Sequence, residues 1–129
     1  MSGINKVVLV GHLGKSPEFR KLNSDISVVS FPLATSEVVS INGIKQEQTE
    51  WHNVVMWRGI ADVATKLLEK GKLIYLEGKL RTRMFEDKFG VKKQTTEVLA
   101  ESFTILGRSS DFNKSADLST QEQRSANIA

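Results

Sequence analysis

The stretch Thr49-Glu-Trp-His-Asn-Val-Val-Met-Trp57 decides how the chain is read. As a β-strand, with side chains alternating between faces, it places Trp51, Asn53, Val55 and Trp57 on one side and His52, Val54 and Met56 on the other. Val54 and Met56 are an ordinary core pair, so the two indoles fall on the outward face. Large aromatics on an outward face need a reason. A second stretch, Lys79-Leu-Arg-Thr-Arg-Met-Phe85, carries Lys79, Arg81, Arg83 and Phe85 on one face, with Leu80, Thr82 and Met84 behind. Flat rings that can stack on bases, set among cations that can meet phosphates, are what a groove for a single nucleic-acid strand requires. Taken one at a time, the bland alternatives stand: Trp residues usually pack, and a Lys/Arg row is usually a solvated strand face. The two stretches together favour the groove.

Outward from these stretches, 129 residues amount to one domain with a real core. The net charge is +3, so affinity for a polyanion must come from the placement of charge rather than its total. There is no cysteine, which removes disulfides, thiolate nucleophiles and Cys-ligated zinc. No apolar signal core or membrane-length run is present, and the expected location is cytoplasmic.

Val7-Val-Leu-Val10 is apolar on both faces of a strand, so one face fills a core and the other calls for a cover, with a second copy of the chain as the first candidate. Gly11-His-Leu-Gly-Lys-Ser16 has the ending of a phosphate-binding loop but fails its spacing, with Leu9 where the first glycine should stand. The short Glu18 to Lys21 run is a poor start for the helix such a loop feeds, and Leu22 to Asp25 is turn material. Ile26 to Thr35 is a strand whose apolar phase slips, which predicts a bulge or sharp bend, and Pro32 points to an edge or to the same irregularity. Asn42-Gly43 signals a hairpin, and the polar arm around it is expected to project as a flexible loop.

Arg58 to Lys70 is the one convincing helix. Ile60, Val63, Ala64, Leu67 and Leu68 give it an apolar face, and Gly71 stops it. Lys72 to Thr82 is a clean strand, Glu86 to Gly90 turns it, and Thr95 to Leu106 is a last strand without clean parity, bulged or shared between two partners. The composition after Gly107 is that of a disordered tail. Three strand regions, a helix and two more strand regions give an all-β fold: a five-stranded Greek-key barrel of the OB type with one α-helix between strands 3 and 4. An open α+β sheet is the runner-up on pattern. The domain is placed at residues 1–107 and the tail at 108–129.

Four blocks, Asn5 to Gly14, Leu33 to Glu37, Gln48 to His52 and Leu76 to Arg83, together resemble the bacterial single-stranded DNA-binding protein (SSB) family, in order and over about Met1 to Gly107. The resemblance implies an OB-fold subunit of a homotetramer that binds single-stranded DNA without sequence preference in replication, recombination and repair, needing no cofactor or metal. It puts the stacking aromatics at Trp51, Trp57 and Phe85 and the backbone-contacting cations at Arg81, Arg83 and Lys70, beside Lys79 and Asn53 on the same strand faces. It also implies that the first strand, with Val7 and Leu9, pairs across a subunit boundary near His52 and Tyr75, and that the protein is associated with the bacterial nucleoid. Two features depart from the family. Val39 replaces an aromatic, and Ser125-Ala-Asn-Ile-Ala129 lacks the acidic tip with a terminal aromatic that docks partner enzymes, so recruitment of replication and repair enzymes is not expected.

An RNA-binding OB module is the nearest alternative, because stacking does not consult the 2′-hydroxyl. A non-catalytic assembly adaptor is the next. An enzyme is not expected: the two histidines lie in separate strands without metal spacing, and no Ser or Thr sits in a nucleophile setting.

Overall fold

The computed structural model describes residues 2–23 and 25–108. The tail expected beyond Gly107 lies almost entirely outside the described residues. The elements are β1 (Val7–Leu13), β2 (Glu18–Leu22), β3 (Ile26–Ile41), β4 (Ile44–Trp57), α1 (Gly59–Leu67), β5 (Lys72–Glu86) and β6 (Lys92–Arg108). The sheet runs β1-β5-β6-β4-β3-β2 and closes through a β1–β3 pairing. Five strands therefore form a barrel, β1-β3-β4-β6-β5, in which only β4 and β6 run parallel. This is the OB arrangement expected from the element order.

The sixth strand, β2, was not expected from the sequence. Glu18 to Leu22, taken there for a poor helix start and a turn, pairs antiparallel with Ile26 to Ser30 as a short hairpin at the rim. Its two apolar residues, Phe19 and Leu22, are three apart among charged ones, so the segment shows no period-two alternation that would set it off from turn material.

The core is built by alternation. Val29, Phe31 and Leu33 of β3, Val54 and Met56 of β4, Ile74 and Leu76 of β5, and Val98 and Ala100 of β6 meet inside the barrel. Each such large side chain taken wholly out of water contributes about 1.5–3 kcal/mol before entropy is counted. Val7 and Leu9 of β1 are partly buried against this cluster, while Val8 and Val10 face outward, about half exposed.

The helix closes the core with Ala61, Ala64 and Leu68. It is shorter than its apolar pattern suggests: Arg58 caps it at the start and Leu68 at the end, with the Leu68 N–H donating to Ala64 O at 2.9 Å. Its buried stripe is rotated toward the alanines, so Val63 and Leu67 stay about half exposed. Small side chains allow the helix to approach the strands closely, and they face the barrel for that reason. Lys70 consequently lies in the turn after the helix and not at its end.

The bulge expected in Ile26 to Thr35 is absent, because β3 keeps unbroken register with β4 from Val28↔Trp57 to Ile41↔Ile44. Its apolar phase slips because Val28, on the outer face, is itself buried at 2% exposure opposite Trp57 and Arg20. Pro32 lies at a local edge, as the other alternative had it: β2 pairs with β3 up to Ser30 and β1 from Leu33. The Pro32 carbonyl, which accepts the Gly14 N–H at 2.9 Å, points to that edge, and so does the position of its missing N–H, where no ladder bond is lost. The irregularities fall in β6, where Glu101 and Leu106 are skipped in the register with β5. That is the strand without clean parity, and it is both bulged and shared between β5 and β4.

Two hairpins extend past the barrel. The β3–β4 arm, expected as a loop, is a paired ribbon that turns at Asn42 and Gly43 with φ of 53° and 78°, as a two-residue type I′ turn requires. The β5–β6 ribbon pairs Arg81 to Glu86 with Lys92 to Glu97.

At Gly78 a Cβ would come 2.2 Å from Leu99 O and 2.8 Å from Ala100 Cα, beside the Glu101 bulge. The backbones approach so closely there that only glycine fits. Gly78→Ala is expected to destabilise the domain by about 1–3 kcal/mol, as overpacking does, read as a lower urea midpoint with an unchanged slope.

Candidate nucleic-acid interface

The outer face of β3 and β4 is set by their register. Cross-strand partners share a face, so Val28 and Trp57, Ser30 and Val55, Pro32 and Asn53, and Ala34 and Trp51 form four successive rungs. On β5 and β6 the same side carries Lys79 with Leu99, Arg81 with Glu97, Arg83 with Thr95, and Phe85 with Lys93. β2 adds Glu18 opposite Ser30 and Arg20 opposite Val28. Between these walls run two adjoining clefts. The larger, of about 420 Å³, is bounded by Lys15, Ser16 and Glu18 on one side and by Asn53, Arg83 and Glu97 on the other. Its neighbour lies among Arg20, Val28, Trp57, Arg81, Arg83 and Glu97.

Each aromatic on this surface has a different environment. Trp51 is 59% exposed, and its ring edge rests over Gly14, where a Cβ would meet the indole at 2.5 Å and 2.8 Å. Trp57 is half-buried and the Arg81 guanidinium lies 5.6 Å from its ring centroid. Phe85 is 40% exposed, with the Arg83 guanidinium 5.7 Å from its centroid. The two arginines thus lie within cation–π range of the rings beside them. Neither Nε–H of Arg81 nor Nε1–H of Trp57, both buried, has a hydrogen-bond partner among the described residues.

Seven of the eight residues assigned to nucleic-acid contact, Trp51, Asn53, Trp57, Lys79, Arg81, Arg83 and Phe85, lie on this one outer surface. Lys70, the eighth, is exposed in the turn after the helix, and its backbone N–H donates to Ser16 Oγ at 3.1 Å at the cleft wall. Sequence reading missed Gly14, Lys15, Arg20 and Glu97. Arg20 belongs to the unrecognised strand β2, and Glu97 sits in a strand whose parity is hidden by its bulges.

The residues assigned to a subunit boundary are dispersed. Val7 and Leu9 turn toward the core, and the outward pair of that strand is Val8 and Val10. His52 is half-buried, with Nε2 2.9 Å from Thr35 Oγ1. Tyr75 is on the outer face of β5, opposite Val10, and donates its hydroxyl proton to Glu77, which also meets Lys6 Nζ at 3.0 Å. That bond to Glu77 raises the Tyr75 pKa above the ordinary phenol value, and the bonds from Tyr75 and Lys6 hold the Glu77 carboxyl below its own. Among the described residues no group of three or more His, Asp or Glu is placed to hold a metal, and no helix is long and apolar enough to cross a membrane.

Comparison with known proteins bears on this surface. The model of the single-strand binding protein family matches residues 4–106. The chain belongs to that family. It is 44% identical to single-stranded DNA-binding protein 1 of Chlorobaculum tepidum over 124 residues, covering 95% of this chain and 76% of that one. It is 40% identical to single-stranded DNA-binding protein 1 of Xylella fastidiosa over 116 residues, covering 88% and 85%. Among solved structures, the Plasmodium falciparum SSB in complex with ssDNA superposes with a TM-score of 0.75 at 31% identity, over 82% of this chain and 97% of that one.

Gly14→Ala is expected to leave folding almost unchanged, because the exposed Trp51 ring can swing away, but to shift Trp51 emission and weaken oligonucleotide binding. At the tip of the β5–β6 ribbon, Asp87 Oδ1 accepts the Phe89 and Val91 N–H groups, both at 2.9 Å. Those bonds, with Val91 first, lower the Asp87 pKa. A lowered carboxyl pKa stabilises the turn above the ordinary carboxylate range, and this is lost as pH falls through the lowered value. Amide exchange at Phe89 and Val91 is expected to show protection at neutral pH that disappears in acid, and to show none at either pH in Asp87→Ala.

Proposed function

We propose that the chain binds single-stranded DNA without sequence preference and carries out no bond-breaking chemistry. Bases stack on Trp51, Trp57 and Phe85, while Lys79, Arg81, Arg83 and Lys70 meet phosphates and Asn53 supplies a polar contact within the groove. The observation that carries this is the exposed Trp51 ring on the same face as the Arg81 and Arg83 row. Stacking accepts any base because every base has a π-face, and the cation row follows a backbone whose charge recurs with every nucleotide. The names of the curated relatives and the ssDNA in the Plasmodium complex support the same reading. Protection of exposed single strands in replication, recombination and repair is the corresponding cellular role, in the bacterial cytoplasm at the nucleoid.

The working unit is a homo-oligomer, with a homotetramer expected. The outward side of β1, with Val8 and Val10 beside Tyr75, is the apolar strip that a second copy would cover, with Val7 and Leu9 behind it on the inner face of the same strand.

Titration of tryptophan emission with oligo-dT at two salt concentrations, with the mass measured in solution, tests both parts. Strong quenching and an affinity that falls with salt are expected, together with a mass above that of the monomer. Trp51→Ala is expected to weaken binding by about 1–3 kcal/mol, which is about 5- to 150-fold, without lowering the melting temperature. Stronger competition by poly-U than by poly-dT would point to RNA, and unquenched emission to an adaptor that binds no nucleic acid.

A further inference from the structure

A carboxylate stands in the middle of a surface proposed to bind a polyanion. Glu97 is only 8% exposed, and it lines both clefts, facing Lys15, Glu18, Arg20, Arg81 and Arg83. Its charge works against every phosphate that enters. A buried acid in that position needs a compensating role.

The hydrogen bonding shows one. In the register Glu97 is directly opposite Arg81, yet its Oε2 accepts from the diagonal neighbour, Arg83 Nε, at 3.1 Å. The pairing is asymmetric: the Arg83 side chain is 52% exposed while that of Glu97 is 9% exposed. Among the described residues no other hydrogen bond engages the Arg83 guanidinium, so its terminal nitrogens remain available. The same guanidinium lies 5.7 Å from the Phe85 centroid. Arg83 is thus held at the Nε of its guanidinium by a largely buried carboxylate and lies over the Phe85 ring, while its half-exposed side chain lines both clefts. An unrestrained arginine on a projecting ribbon would lose its rotamer freedom only when it met the phosphate, and affinity would fall by that amount.

From this geometry, and resting on the single-stranded DNA reading above, we infer that Glu97 is a positioning residue: it fixes Arg83 through Nε so that the terminal nitrogens of the guanidinium are presented to a phosphate of the bound strand. Glu97 touches no nucleotide itself. Among the described residues the Nε of Arg81 has no hydrogen-bond partner and its guanidinium lies over Trp57, so the two arginines of the row differ in how they are restrained.

The test separates the charge of Glu97 from its role as an acceptor. Glu97→Gln keeps an oxygen for Arg83 Nε and removes the negative charge; Glu97→Ala removes both. With full-length chain and oligo-dT, E97Q is expected to bind at least as tightly as the unaltered protein. E97A is expected to bind more weakly than E97Q by on the order of tenfold. The dependence of log Kd on log salt is expected to fall by up to about 0.7 in E97A, one phosphate contact on a single strand, and to be retained in E97Q. In an Arg83→Ala background the gap between the two Glu97 variants should vanish. Should E97A fail to fold, Glu97→Met, which fills similar space and offers only a weakly accepting sulfur, takes its place. Equal affinities for the Gln and Ala variants, or a gap that survives in R83A, would overturn the inference. If the unaltered chain itself ignores oligo-dT, the DNA reading fails, and this is a separate result from a missing gap in a chain that binds.

Discussion

Val54 and Met56 are wholly shielded from solvent inside the barrel, and because side chains alternate along a strand, their burial turns Trp51, Asn53, Val55 and Trp57 outward. A slip of one residue would exchange the two sets, hiding the indoles and exposing the core pair. The unbroken ladder between β3 and β4 blocks that slip over the whole length of the hairpin. Packing inside the barrel and the display of aromatics outside it are therefore one constraint seen from two sides.

The second determinant is curvature. A closed barrel of five strands brings β4 and β6 together as a parallel pair at Val54↔Val98 and Val55↔Leu99, and this puts the Trp57 rung near the arginine row of β5. The bulges at Glu101 and Leu106 and the close backbone approaches at Gly11 and Gly78 accompany that closure. Beyond the barrel's end, the β5–β6 ribbon carries Arg83 and Phe85 away from the body. Its back face is left open, which is why Leu80 and Met84 are exposed although they continue the inward side of the strand.

Electrostatically the groove is more mixed than a basic row suggests. Glu18 and Glu97 lie among Lys15, Arg20, Arg81 and Arg83. With a net charge of only +3, the chain relies on where each guanidinium is held, by a ring for Arg81 and by a ring and a carboxylate for Arg83. Such restraint limits what each arginine loses on meeting a phosphate, and it gives a mildly basic protein a route to polyanion affinity.

Period-two alternation made β4 and β5 legible, and with them the shared face of Trp51 and Trp57 and the Lys79, Arg81, Arg83, Phe85 row, because each pattern is local to one strand. The Asn42-Gly43 turn was legible for the same reason: two successive positive φ angles are a property of the residues themselves. The short strand β2, the unbroken register at Pro32, the rotation of the helix toward Ala61 and Ala64, the inward direction of Val7 and Leu9, and the place of Glu97 were decided by tertiary structure. Each depends on which neighbour lies across a ladder or a barrel wall, at a separation in sequence that no local periodicity reports. The amino-acid order determined which side chains share a strand face; closure of the barrel decided which of those faces meet.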